Sequence, residues 1–255
     1  MNRFVRLAAT ALISTLLLHA GCARQKKHQL ALEGAPADFS GISMYHVNVT
    51  NASGTVEILT RRNLKSPWVE VKRSRPRVGG DMAGPGQTPK QFSNATFSDD
   101  KGIGTVTVVS TAGDVASAGE WVRIIVYVPA LGDVKVRNAG GHVNVVNAHG
   151  EVDIQNSTTS LGFGHIMCAS IHPTKSTLLL STDDGTIDVS IPASSQFKLD
   201  ATTGAGEVMI SARNSIVTEA VERPMNWTGV VNGGTAAATL RTSKGNIKIR
   251  IGAAE

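Results

Sequence analysis

Apolar and polar residues alternate in a nine-residue unit through the middle of the chain. Val134-Lys135-Val136-Arg137-Asn138-Ala139-Gly140-Gly141-His142 is followed by Val143-Asn144-Val145-Val146-Asn147-Ala148-His149-Gly150-Glu151, then by Val152-Asp153-Ile154-Gln155-Asn156-Ser157-Thr158. Apolar-polar-apolar is the pattern of a strand with one buried face. Asn, a small residue and Gly suit a tight corner, because Asn bonds nearby backbone and Gly accepts positive φ. Each unit therefore predicts a strand of about five residues and a corner of about four.

The pattern returns along most of the chain. Val47 and Val49 lead through Asn51-Ala52-Ser53-Gly54 to Val56 and Ile58. Leu178 and Leu180 lead through Thr182-Asp183-Asp184-Gly185 to Ile187 and Val189, and Ala238 and Leu240 through Thr242-Ser243-Lys244-Gly245 to Ile247 and Ile249. The sequence predicts an all-β repeat domain. Its strands either form an antiparallel meander or alternate between two facing sheets as a flattened coil. Facing sheets lie about 10 Å apart, a gap that four residues can cross. The coil stacks Val134 on Val152 and Asn138 on Asn156, and the recurrence of Asn and Gly at fixed corners favours it. The faces would then present Lys135, Asn144 and Asp153 to solvent.

The recurrent Ser/Thr-x-x-Gly-x-Val/Ile-x-Val/Ile units resemble the adhesin-type DUF4097 domains of bacterial envelopes. So do the punctuations Val126-Tyr127-Val128-Pro129-Ala130 and Val189-Ser190-Ile191-Pro192-Ala193. The head domains of auto-transporter adhesins (the GIN group) are a close second match. The resemblance runs from Ile42 to Ile251 and implies a single-domain, right-handed, two-sheeted β-helix with an adhesin-like role. It carries no catalytic motif. Two segments depart from the pattern. Gly79 to Lys90 is rich in Gly and Pro and predicts a mobile loop over residues 75–96, and Ser211 to Gly234 predicts a segment that caps the coil or packs against its side.

The amino terminus gives an address. Met1-Asn2-Arg3-Phe4-Val5-Arg6 is basic, and Leu7 to Leu18 is an apolar run too short to span a membrane. Leu18-His19-Ala20-Gly21-Cys22 resembles a lipobox, which implies lipidation of Cys22 after removal of residues 1–21. His19 stands where that motif usually has Leu. Residues 22–40 lack alternation and read as a flexible tether, leaving 41–255 as the domain. The expected location is the cell envelope, on the periplasmic side of the outer membrane or at the cell surface. Cys168, the other cysteine, follows apolar Ile166-Met167 and reads as a core residue.

Composition narrows the function. The formal charge of +5 falls to +3 once Arg3 and Arg6 are removed, and no nucleic-acid motif accompanies it. The basic residues concentrate at Arg61, Arg62, Lys65, Lys72, Arg73, Arg75 and Arg77 against one acid, Glu70. That cluster is the candidate site for an anionic ligand (lipid headgroups, lipopolysaccharide phosphates or an acidic glycan), and the plainer reading of it is a solvated strand pair whose Lys and Arg guard an edge. Trp68 beside it reads as core packing or as a stacking platform for a sugar. Asp183-Asp184 sits in a corner slot, and neither that pair nor Asp99-Asp100 has the facing carboxylates that glycoside cleavage requires. His142 and His149 fall at opposite ends of one strand, too far apart to share a metal; with His165 and His172 they read as solvated corner residues. The sequence thus predicts a non-enzymatic, lipid-anchored binding or scaffold protein that needs no cofactor or metal. Its partners would be the membrane through the anchor, and an envelope glycan, lipid headgroups or a protein surface. The competing readings are an envelope-stress sensor and a carbohydrate-active enzyme.

Overall fold

The computed structural model describes residues 27–74, 93–111, 121–157, 163–169, 171 and 176–252. Among them every regular element is a strand. In chain order the strands are β1 (Lys27–Leu30), β2 (Leu32–Glu33), β3 (Met44–Asn51), β4 (Gly54–Thr60), β5 (Trp68–Ser74), β6 (Ser93–Asp100), β7 (Ile103–Ser110), β8 (Trp121–Val128), β9 (Leu131–Ala139) and β10 (Gly141–Val146). They continue as β11 (Val152–Ser157), β12 (Gly164–Ala169), β13 (Leu178–Asp184), β14 (Ile187–Ile191), β15 (Phe197–Thr203), β16 (Val208–Ala212), β17 (Val217–Arg223), β18 (Asn226–Val231), β19 (Ala236–Lys244) and β20 (Ile247–Ile251).

Two sheets share these strands, and the repeating unit is a coil with one strand in each. The nine-stranded sheet runs β1-β5-β8-β4-β10-β12-β14-β20-β16, and the eleven-stranded sheet runs β17-β18-β15-β19-β13-β11-β9-β3-β7-β6-β2. Inner neighbours pair in parallel, as coiling requires: Val152 lies beside Val134 and Asn156 beside Asn138, the stacking that the repeat predicts. The alternation is converted directly into burial. Val134, Val136, Val143, Val145, Val152 and Ile154 are all buried in one continuous core between the sheets. On the outer side Lys135 is exposed, while Asn144 and Asp153 are half-buried.

The order of the coils departs from the order of the chain. The β3–β4 coil lies between those of β7–β8 and β9–β10, and the β19–β20 coil lies between those of β13–β14 and β15–β16. Antiparallel strands finish the ends: β5 pairs with β8, β6 with β7, and β18 with β15. Of the two roles expected of Ser211–Gly234, the β17–β18 hairpin takes that of a cap at one end of the eleven-stranded sheet, and it buries Trp227.

Corners follow their turn chemistry. β6 and β7 join through Lys101 and Gly102, both at positive φ (53° and 83°), the geometry of a two-residue hairpin turn. At Gly54, φ is +122°, and a Cβ there would collide with the Val122 backbone of the neighbouring strand.

Two boundaries differ from the sequence reading. Residues 27–30 and 32–33, expected in the tether, are strands: β1 pairs antiparallel with β5 and buries Leu30, and β2 pairs with β6. The physical reason is that β5 and β6 would otherwise leave long unpaired edges; a strand of two to four residues is too short to show alternation. Residues 93–96, expected in the mobile loop, open β6, where Ser93, Ala95 and Phe97 face inward. Small Ser and Ala at inward positions masked the period. The remainder of that loop, the signal segment and Cys22 lie outside the described residues.

Candidate functional site

Of the seven basic residues, the four with described side chains fall in two places. Arg61, Arg62 and Lys65 occupy the β4–β5 connection and are exposed. Lys72 lies four residues beyond Trp68 along β5, about 13 Å at strand rise, is half-buried and pairs with Glu70 at 3.2 Å. Arg73 is in β5 beside Val122, and Arg75 and Arg77 lie outside the described residues. Next to Lys72, Arg123 bonds Glu57 at 2.7 Å through Nε. Lys72 and Arg123 are therefore paired, whereas the loop carries three exposed cations.

Backbone and ring contacts hold Arg61 in place. Its N–H donates to the Val128 carbonyl at 2.8 Å, and its carbonyl accepts from Leu64 N–H at 3.1 Å. Its guanidinium sits 4.3 Å from the centroid of the Tyr127 ring, a cation–π contact that leaves the edge donors open. Trp68 is Tyr127's cross-strand neighbour, with ring centroids 5.6 Å apart, and is 37 % exposed. The core reading of Trp68 is thereby corrected: Val69 and Val71 take the inward positions of β5, so period-two alternation sends Trp68 outward.

The other candidates resolve differently. His142 and His165 are not corner residues but neighbours in β10 and β12, their rings stacked at 5.1 Å. His165 Nδ1 accepts the Thr186 N–H at 2.9 Å. Burial and then the His142 charge hold the His165 pKa below its ordinary value. His149 is exposed, and His172 lies outside the described residues. Among the described residues no three potential metal ligands gather. Cys168 is buried in the core, and desolvation pushes its thiol pKa well up. Asp99 accepts from the Gly102 N–H at 3.0 Å, a turn role.

Two grooves mark the outer side of the eleven-stranded sheet. One of about 270 Å³ is lined by His46, Asp133, Lys135 and Glu151 among others. The other, of about 310 Å³, follows the corners of successive coils past Asn51, Asn138, Asn156 and Asp183. Asp183 is the one carboxylate among the described residues lining this second groove. Arg137, which also lines it, is gripped by both oxygens of Asp153. The sequence pointed to the corner residues; the groove that they share depends on which coils are neighbours.

A family model, the Toastrack DUF4097 family, matches residues 27–250. The chain belongs to that family. The match begins at β1, in agreement with a Toastrack domain that includes the first strands. Among solved structures, a protein of Clostridium sporogenes provisionally described as a cell adhesion protein aligns over 89 % of this chain and 100 % of its own, with 12 % identity and a TM-score of 0.57. A provisionally described lipid-binding protein of Parabacteroides distasonis aligns over 92 % and 96 %, with 8 % identity and a TM-score of 0.26. No curated protein matches the chain.

Proposed function

We propose that this Toastrack protein is a non-catalytic binding module, anchored in the bacterial envelope by lipid on Cys22, that docks onto anionic surfaces through the β4–β5 loop. The observation carrying this reading is the Arg61 guanidinium, set against Tyr127 beside the exposed Trp68 and followed by exposed Arg62 and Lys65. A pre-positioned Arg loses little conformational freedom when its donors meet phosphate or carboxylate. Trp68 adds a large amphipathic ring of the kind that settles at headgroup level or stacks on a sugar. The lipobox-like Leu18-His19-Ala20-Gly21-Cys22 supports the anchor, and an anchored chain samples its own membrane at high effective concentration, so weak contacts suffice.

Flotation of the mature chain carrying Cys22→Ala with phosphatidylglycerol vesicles and with phosphatidylcholine vesicles tests the docking. Association with the anionic vesicles, reduced in Arg61→Ala and in Trp68→Ala and weakened by salt, supports it. Equal behaviour with both lipids, or indifference to both substitutions, refutes it. The anchor has its own test. Palmitate labelling should mark the wild type and be lost in Cys22→Ala.

A further inference from the structure

The polar corners of the coil form a ladder with a direction. Asn156 donates through Nδ2 to the Gly141 and His165 carbonyls, both at 3.1 Å, which turns its Oδ1 toward Asn138. Asn138 Nδ2 donates to that oxygen at 2.9 Å and also reaches the carbonyls of Gly54 at 3.0 Å and Gly140 at 2.6 Å. Its Oδ1 must then face Asn51, whose Nδ2 donates to it at 2.8 Å. Each amide fixes the next, so the acceptor left over falls at the Asn51 end. Asn51 is 2 % exposed, and among the described residues its Oδ1 has no hydrogen-bond partner. A buried acceptor without a donor is costly.

That residue lines one end of the 310 Å³ corner groove, a volume within the range of small-ligand sites. From it the groove crosses Arg137 on β9, Gln155 and Ser157 on β11, and Ser181 and Asp183 on β13. The strands repeat about every 4.8 Å, so amide and hydroxyl groups recur at a regular step along the stack. The Arg137 charge is taken up by Asp153, leaving no other cation among the described residues of the groove to receive an anion. The named lining, amide, hydroxyl and charged, does not suit an acyl chain.

We infer that this corner groove is a binding site for a neutral, hydroxyl-rich saccharide chain laid along the coil axis, one of whose hydroxyls donates to Asn51 Oδ1. The site is separate from the Arg61 loop. Asn51 ends β3 whereas Arg61 follows β4, and the two strands run in different sheets.

Titration of the mature Cys22→Ala chain with short cello-, chito- and malto-oligosaccharides, followed by amide NMR, tests it. The expected result is saturable binding of at least one series, with shifts in Asn51, Asn138 and Gln155. Gln155→Trp and Ser181→Trp place bulk at exposed positions without touching the core and should each weaken binding at least about tenfold, roughly 1.4 kcal/mol. Arg61→Ala should leave it unchanged, so this site and the anionic surface succeed or fail separately. Absence of binding by all three series, or binding that survives both Trp substitutions, overturns the inference.

Discussion

Asn138 and Asn156, eighteen residues apart, are joined side chain to side chain at 2.9 Å in the buried corner between the two sheets. One coil of two strands separates them, and the bond registers one coil on the next. Asn138 also receives Asn51 from the coil on its other side. Replacing Asn138 with Ala orphans the Asn51 amide and two corner carbonyls in a buried site. A loss of about 2–4 kcal/mol is expected from the usual cost of stranded polar groups. Urea unfolding of Asn138→Ala, compared with exposed Lys135→Ala, measures it; Lys135→Ala should stay within about 0.5 kcal/mol of wild type.

Gly54 gives a second stability prediction. Its φ of +122° and the nearby Val122 backbone oppose any side chain. Gly54→Ala should cost about 2 kcal/mol or more through strain and overlap, read as a fall in melting temperature. Gly233 is also at positive φ, 67°, but has open space around it, so Gly233→Ala should be milder.

His165 predicts how stability responds to pH. Burial and the facing His142 depress its folded pKa, and its Nδ1 lone pair accepts from Thr186 N–H. In the unfolded chain the imidazole titrates near pH 6.5. Between that value and the lower folded one the unfolded state binds more protons, so stability falls as pH drops through this window. Thermal melts from pH 7.5 to 5 should show the decline in wild type and a smaller one in His165→Phe. An identical decline in both would assign it to other groups.

Cys168 should be chemically silent. Its thiol is buried and its pKa raised, so the reactive thiolate is scarce. In Cys22→Ala protein an aromatic disulfide reagent should label Cys168 only after denaturant is added. Fast labelling of the folded protein would contradict the burial of β12 against the core.

How much of this was legible in the residues depends on the scale. The period of two placed Val134, Val143 and Val152 inward, and the nine-residue unit placed Asn138 on Asn156, because both follow from local geometry. The coil order was not legible. Every unit presents the same pair of aliphatic residues to its neighbours, so nothing in the Val47–Val49 unit distinguishes the Val106 unit from the Val134 unit; long connections decide it. The same gap hid the His142–His165 stack, which depends on β10 lying beside β12. Trp68 suggests the core by its hydrophobicity, but alternation along β5 overrides that preference. Of the candidate site, Arg61, Arg62 and Lys65 were visible as a charge cluster, while the Tyr127 face that orders Arg61 comes from a strand more than sixty residues away.

The ladder and the groove that Asn51 lines both require β3 to lie directly beside β9, and the structure places β7 on the other side of β3. Asn48 is the register partner of Lys135 and also of Thr107 on its other side. Neighbouring strands lie about 4.8 Å apart, within disulfide reach, and alternate strands about twice that, beyond it. In a Cys22→Ala background, mild oxidation should therefore close a disulfide in Asn48→Cys/Lys135→Cys and leave Thr107→Cys/Lys135→Cys reduced, as read by mass spectrometry of tryptic peptides. A crosslink in the Thr107 pair and none in the Asn48 pair would mean that the coils stack in chain order, with neither the ladder nor the groove formed.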